Sequence, residues 1–287
     1  MKLRTVLTLA LFATVTATAQ QYSTWVSTLT GSDSFPCTRL QPCLTLQHAI
    51  NMTLPFGTVT ALDPNDSGPI TVLQPITIRG NGSVITSTSG AAISVTQSAL
   101  APAGASSFFD IFVQLELPPL ITGVGISTQT DLHIEDVRLN LTGASGGASS
   151  GSGTGLFVDG SQRIVRVNTK RLEVIGGNMG IQVSGGRLIH VDSTVKYAQT
   201  GILVQSTPGH AASLWSQNSE DSSNLQSGLT VDNTAGAGAT ARISDNLLTG
   251  NFIGTQTIGG GQIITLRNNG WADNTTDGTT PFSISLK

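Results

Sequence analysis

The sequence predicts an all-β chain, a β-solenoid, and three observations predict it. Five glycine-led segments, Gly155 to Val158, Gly180 to Val183, Gly201 to Val204, Gly228 to Val231 and Gly254 to Thr257, recur at intervals of 25, 21, 27 and 26 residues. A period of roughly 20–30 residues with strand-like units is the mark of a coil whose turns bury their apolar edges only against one another. Most of these segments are followed by a second alternating unit: Arg163 to Val167, Arg187 to Val191, Ala241 to Asp245 and Gln262 to Leu266. The composition agrees, with 11% charged and 5% aromatic residues but 33 glycines. Polar faces and tight corners here replace the surfaces of helices.

The elements follow in chain order. Lys2 and Arg4 precede an apolar run from Val6 to Val15, and Ala17 and Ala19 stand where a signal peptidase reads small residues, so residues 1–19 are expected to be a signal peptide cleaved after Ala19. The run is shorter than the roughly 20 apolar residues that span a bilayer, and no later segment is long enough, which predicts an exported chain that does not cross the membrane. Without Lys2 and Arg4 the chain carries 12 basic and 17 acidic residues, a net charge of −5 that argues against nucleic acid as a partner.

Residues 20–56 form an N-terminal opening segment and cap. Its cysteines, Cys37 and Cys43, are the only two in the chain and in an exported protein are expected to pair. A bridge over so short a loop is worth about 2.4 kcal/mol by chain entropy, enough to pin a corner. A zinc site is the rival, and it would need further Cys or His ligands nearby. Beyond them, Leu44, Leu46, Ala49 and Ile50 are spaced to share one helix face, with His48 off it. The coils occupy residues 57–287. Ile70 to Val72, Ile76 to Ile78 and Ala92 to Val95 read as early strands. An irregular excursion is expected at about 97–123, and the Gly, Ser and Ala-rich stretch 143–155 reads as a corner loop, since a phosphate loop would need a Gly-Lys-Ser/Thr run or a following helix.

The stretch from Trp25 to Ser27, through Gly31 to Ser34, Pro36-Cys37, Pro42-Cys43, Thr45 to Ile50 and Gly57 to Thr60, resembles the start of secreted parallel β-helix proteins of the pectate-lyase-like superfamily. The last coils, with Ala241 to Asn246, Thr249 to Asn251, Gly259 to Ile264, Asn268-Asn269, Asp273-Asn274 and Asp277-Gly278, are similar to those of bacterial secreted β-helix repeat proteins of no established activity. The resemblance implies a single-stranded right-handed parallel β-helix with an N-terminal capping helix. It also implies that some relatives are polysaccharide lyases or glycoside hydrolases.

Alternation over the second units places Val165, Ile189, Ile243 and Ile264 inward, with Val167, Val191 and Leu266 behind, and Arg166 and His190 outward. Asn168, Asn246, Asn251, Asn268, Asn269 and Asn274 are expected at a corner, as backbone-bonding amides or as a ligand ladder. Arg163, Arg166, Lys170, Arg171, Arg187 and Lys196 put six of those 12 basic residues within 34 positions of an acidic chain. The candidate ligand-binding residues are therefore Arg163, Arg166, Arg187, His190 and Lys196, because guanidinium groups grip carboxylates with two parallel bonds. Glu173 and Asp192 among them support the plainer reading of a solvated face.

The polygalacturonase-like run of Asn-Thr-Asp, paired aspartates, Gly-His-Gly and Arg-Ile-Lys is not present: Gly209-His210 stands alone and Asp245-Asn246 is no pair. Asp131, Glu135, Asp136 and Asp159 are the nearest acidic grouping, and no catalytic residue is assigned. The expectation is a non-enzymatic module binding carbohydrate, as extracellular or cell-wall polysaccharide, or a cell-surface partner, with no cofactor and no metal. The alternatives are an acidic-polysaccharide lyase or hydrolase, the lyase requiring calcium, and a structural stalk or adhesin.

Overall fold

The computed structural model describes residues 20–87, 90–96, 106–115, 123–141, 153–266, 268–279 and 282–283, with the backbone alone for 106–115 and 282–283. The expected signal peptide lies outside the described residues, as do 97–105, 116–122 and most of the corner loop before Gly155. Within the stretch expected as an excursion, Ser106–Leu115 is a strand paired with Thr77–Ser87 and with Asp131–Glu135, so this part of it belongs to the coil.

Each full coil lays one strand on each of three faces. Met179–Ser184 lies on the first face, Arg187–Val191 on the second and Thr194–Lys196 on the third, and Thr200–Gln205 returns to the first. Strands inside the stack pair in parallel with their counterparts one coil before and one after, as Met179–Ser184 does with Thr154–Asp159 and Thr200–Gln205. The first face is a nine-stranded sheet, and the other two join as one of 18 strands because Thr77–Ser87 and Ser106–Leu115 run round the corner between them. This is a parallel β-helix.

Strand alternation fills its interior with stacked columns. Ile126, Leu156, Ile181, Ile202 and Leu229 stack on the first face, Leu132, Val167, Leu188 and Leu214 on the second, all buried. Each such side chain contributes about 1.5–3 kcal/mol by leaving water. The glycine repeat is a column too, and its cause is crowding. A β-carbon on Gly180 would sit 2.6 Å from the carbonyl oxygen of Gly201, and one on Gly201 2.5 Å from that of Gly228. Glycine therefore recurs once per coil where backbones pass closest.

Two corners carry polar ladders. At the third-to-first corner the Asn251 Oδ1 accepts from the Asn224 backbone N–H (3.0 Å) and Nδ2 (2.9 Å), while its own Nδ2 donates to the Asp221 carbonyl (2.9 Å). Asn274 repeats this arrangement one coil on. At the second-to-third corner, the Ser193, Ser219, Asn246 and Asn269 side chains each accept a backbone N–H from the coil before. The expected asparagine cluster thus divides between two corners, and Asn168 belongs to neither, being exposed within Arg166–Lys170. Asn251 is 1% exposed. Asn251→Ala strands buried donors on Asn224 and is expected to cost about 3 kcal/mol, measured as a shift in the denaturant midpoint.

The two cysteines form a disulfide. Trp25 binds both of them through its backbone, donating to the Cys37 carbonyl and accepting from the Cys43 N–H, each at 2.9 Å. Helix Leu46–Met52 starts at Thr45, whose hydroxyl accepts the His48 N–H at 3.2 Å. Leu46, Ala49 and Ile50 share its buried face against strands Gln21–Val26 and Thr53–Ala61. Leu44 does not: it precedes the cap, its N–H held by Asp33, and is exposed.

Candidate functional site

Register on the second face decides what the basic residues can do. Arg166, Arg187, Ser213, Thr240 and Gln262 form one outward column, and Asn168, Ile189, Trp215, Arg242 and Ile264 the next. Ile189 and Ile264 are therefore on the outer surface, and His190 is inside, correcting the inward and outward assignments made from alternation; Val165 and Ile243 are buried as expected. Val191 and Leu266 are half-buried. The displacement has a physical cause in the corners between first and second faces. Six residues, 160–165, separate Asp159 from Arg166, but only Gly185 and Gly186 separate Ser184 from Arg187. Arg187 is thus the counterpart of Arg166, not of Arg163.

His190 is fully buried, with Nδ1 2.8 Å from the Thr169 hydroxyl and Nε2 without a hydrogen-bond partner among the described residues. Burial lowers its pKa to about 4, so the ring is neutral. Most of the basic residues between 138 and 196 are matched by acids from neighbouring coils. Arg166 Nη1 lies 3.6 Å from Asp131, Lys170 and Arg171 meet Glu135 at 3.3 and 2.6 Å, and Arg171 also binds Asp136. Arg138 and Lys196 share Glu173 at 3.0 and 2.7 Å. The hydrogen bond from Arg171, then that from Lys170, lowers the Glu135 pKa, and the Arg171 hydrogen bond lowers that of Asp136. Arg163 is half-buried in the corner 160–165.

Two arginines differ. Among the described residues neither Arg187 nor Arg242 has a carboxylate partner, and both are exposed. They line one open groove of about 750 Å³, with Ile164 at one end, His210 and Ser213 between, and Thr240 near the other. Among the described residues no aspartate or glutamate lines it. The groove exists because the short Gly185-Gly186 corner lies between the long corners 160–165 and 206–211, leaving a notch at Arg187. Gly185 has φ +70°, and a β-carbon there would meet the Thr207 hydroxyl at 2.5 Å and the His210 Cβ at 3.0 Å. Thr207 and His210 exchange backbone hydrogen bonds across Pro208 and Gly209 (φ +78°), a turn that sets His210 at the rim. Trp215 adjoins the groove as the register neighbour of Arg242 and is 43% exposed.

Arg187 is among the residues expected from the sequence, whereas His210, Trp215 and Arg242 are not. Arg242 was within a recognised unit, and the uneven corners hid its parity. Strand Ala212–Gln217, with no Val or Ile, gave no repeat signal.

No family model and no curated protein matches the sequence. Among solved structures, the chain is similar to pectate lyase Pel9A, with 12% identity and a TM-score of 0.48 over 93% of this chain and 79% of that one. It is also similar to the GH136 lacto-N-biosidase from Eubacterium ramulus, with 11% identity and a TM-score of 0.44 over 87% of this chain. The chain spans 56% of that enzyme's length.

Proposed function

We propose that this protein is an exported, right-handed parallel β-helix that binds an acidic carbohydrate in the second-face groove without cleaving it. The observation that carries this reading is the pair of exposed, uncompensated arginines, Arg187 and Arg242, in a groove that no carboxylate among the described residues lines. Arg187 has Arg166 as its strand neighbour, about 4.8 Å away in backbone spacing, and only Arg166 has an acid beside it. A ligand carboxylate accepts both bonds of the guanidinium fork. Exposed Trp215 offers a flat apolar face to a sugar ring. Of Arg163, Arg166, Arg187, His190 and Lys196, we assign ligand contact to Arg187, with Arg166 beside it, and add Arg242 and His210.

Export is supported by the apolar N-terminal run and the disulfide. Among the described residues no helix is long and apolar enough to cross a membrane. Right-handedness follows the strong preference of crossovers between parallel strands. Helix Leu46–Met52 is assigned the role of covering the first coil's open edge.

Calorimetric titration with oligouronides tests the reading. Arg187→Ala and Arg242→Ala are each expected to weaken binding about tenfold, by losing a charge-assisted bond worth about 1.5 kcal/mol, and salt should weaken the wild type. No binding, or binding indifferent to both substitutions, overturns it. Unsaturated or shortened products, with or without calcium, would make the protein a lyase or hydrolase instead.

A further inference from the structure

We infer that the groove recognises an acidic copolymer in which charged and neutral sugars alternate, an inference that rests on the carbohydrate-binding reading above. Coils stack about 4.8 Å apart, and a sugar residue in an extended chain advances by about one coil. The outward residues of successive coils can therefore be matched to successive sugars. Arg187 stands on one coil and Ser213 with Trp215 on the next. Thr240 with Arg242 follows, then Gln262 with Ile264. On the coil before Arg187, Arg166 is neutralised by Asp131 beside Asn168.

The surface thus alternates between a bare guanidinium and no free charge over five coils. Arg187 and Arg242 are two coils apart, about 10 Å along the axis, and two positions apart along the strand, about 7 Å across it, so a chain lying obliquely over the face meets them at every second sugar. The intervening coil presents the Ser213 hydroxyl in the groove, with Ala211 and Ala212 beside it, and the exposed Trp215 adjoining. A uniform polyuronate would place a carboxylate over Ser213 and Trp215 with no cation to meet it, leaving that group to be desolvated without compensation. An alternating chain places its neutral sugar there. Selectivity comes from the missing charge as much as from the two present.

Titration with three oligosaccharides of equal length tests this: a uniform oligouronide, an alternating oligomer of uronic acid and neutral amino sugar, and a neutral oligomer. The alternating chain is expected to bind at least fivefold tighter than the uniform one, and the neutral one not at all. Ser213→Arg supplies the missing cation and should abolish or reverse that preference, while circular dichroism verifies that the variant folds. Arg187→Ala should weaken the alternating ligand about tenfold. Equal or tighter binding of the uniform chain by the wild type, or a preference unmoved by Ser213→Arg, overturns the alternation and leaves acidic-carbohydrate binding standing. Failure of both acidic oligomers to bind, or binding unaffected by Arg187→Ala, overturns the underlying reading as well.

Discussion

Gly201→Ala is expected to destabilise the protein by about 3 kcal/mol and to lower its melting temperature by roughly 6–12 °C. Propensity alone points the other way, since alanine in place of glycine stabilises a strand by about 0.5–1 kcal/mol. Gly201 needs no positive φ, so its requirement is one of space. A β-carbon would lie 2.5 Å from the Gly228 carbonyl oxygen and 2.8 Å from Asn224 Nδ2. Neither neighbour has room to yield. Gly228 lies in a strand paired on both sides, and the Asn224 amide is held by Asn251 at 2.9 Å. Gly68 provides the control, because its position has open space and no positive φ. Gly68→Ala should be neutral or slightly stabilising. Equal melting temperatures for the two variants would remove crowding as the cause of the repeat.

Asp221→Asn is expected to abolish the loss of stability that the wild type shows above about pH 6.5. Asp221 takes an interior position of the third face, between Val195 and Leu248, and its Oδ1 has no hydrogen-bond partner among the described residues. Burial first, and the neighbouring Glu220 charge second, raise its pKa from 3.8 to about 8. From about pH 4 to about 8 the folded chain therefore holds one proton more than the unfolded chain, and stability falls as pH rises, by about 1.4 kcal/mol per pH unit. His190 acts oppositely: its pKa falls from 6.5 to about 4, so stability falls as pH drops through that window. The two slopes cancel between about pH 4 and 6.5. Above that Asp221 acts alone, removing about 2 kcal/mol by pH 8. In Asp221→Asn, denaturant melts should show stability rising up to about pH 6.5 and flat beyond it. Asp221→Val should stabilise the fold at every pH by at least about 1–3 kcal/mol, since it removes an unpaired polar group and continues the apolar column. A decline above pH 6.5 that persists in Asp221→Asn would place its source elsewhere.

What the sequence disclosed follows from which constraints are periodic. Backbone crowding repeats once per coil, so Gly155, Gly180, Gly201, Gly228 and Gly254 showed the architecture directly. Paired cysteines and the helix face of Leu46, Ala49 and Ile50 were legible for the same local reasons. Corner length is not periodic: two residues before Arg187 and six before Arg166 shift one unit against the next. The apolar run Leu188, Ile189, Val191 fits either parity, so nothing local told that His190 would pack inside against Thr169. Charge pairing across coils was equally hidden. Arg171 and Asp136 are 35 residues apart in sequence and touch only because the coils stack. The dense basic stretch therefore drew attention to residues whose charge is matched, while Arg242, isolated in sequence, completes the groove.

Hydrogen exchange across the backbone, compared with and without an acidic oligosaccharide, tests the binding account most directly. The expected result is new protection confined to residues 185–189, 207–215 and 237–242, lost in Arg187→Ala. Protection appearing instead around Arg138, Glu173 and Lys196, or unaltered in Arg187→Ala, would contradict it.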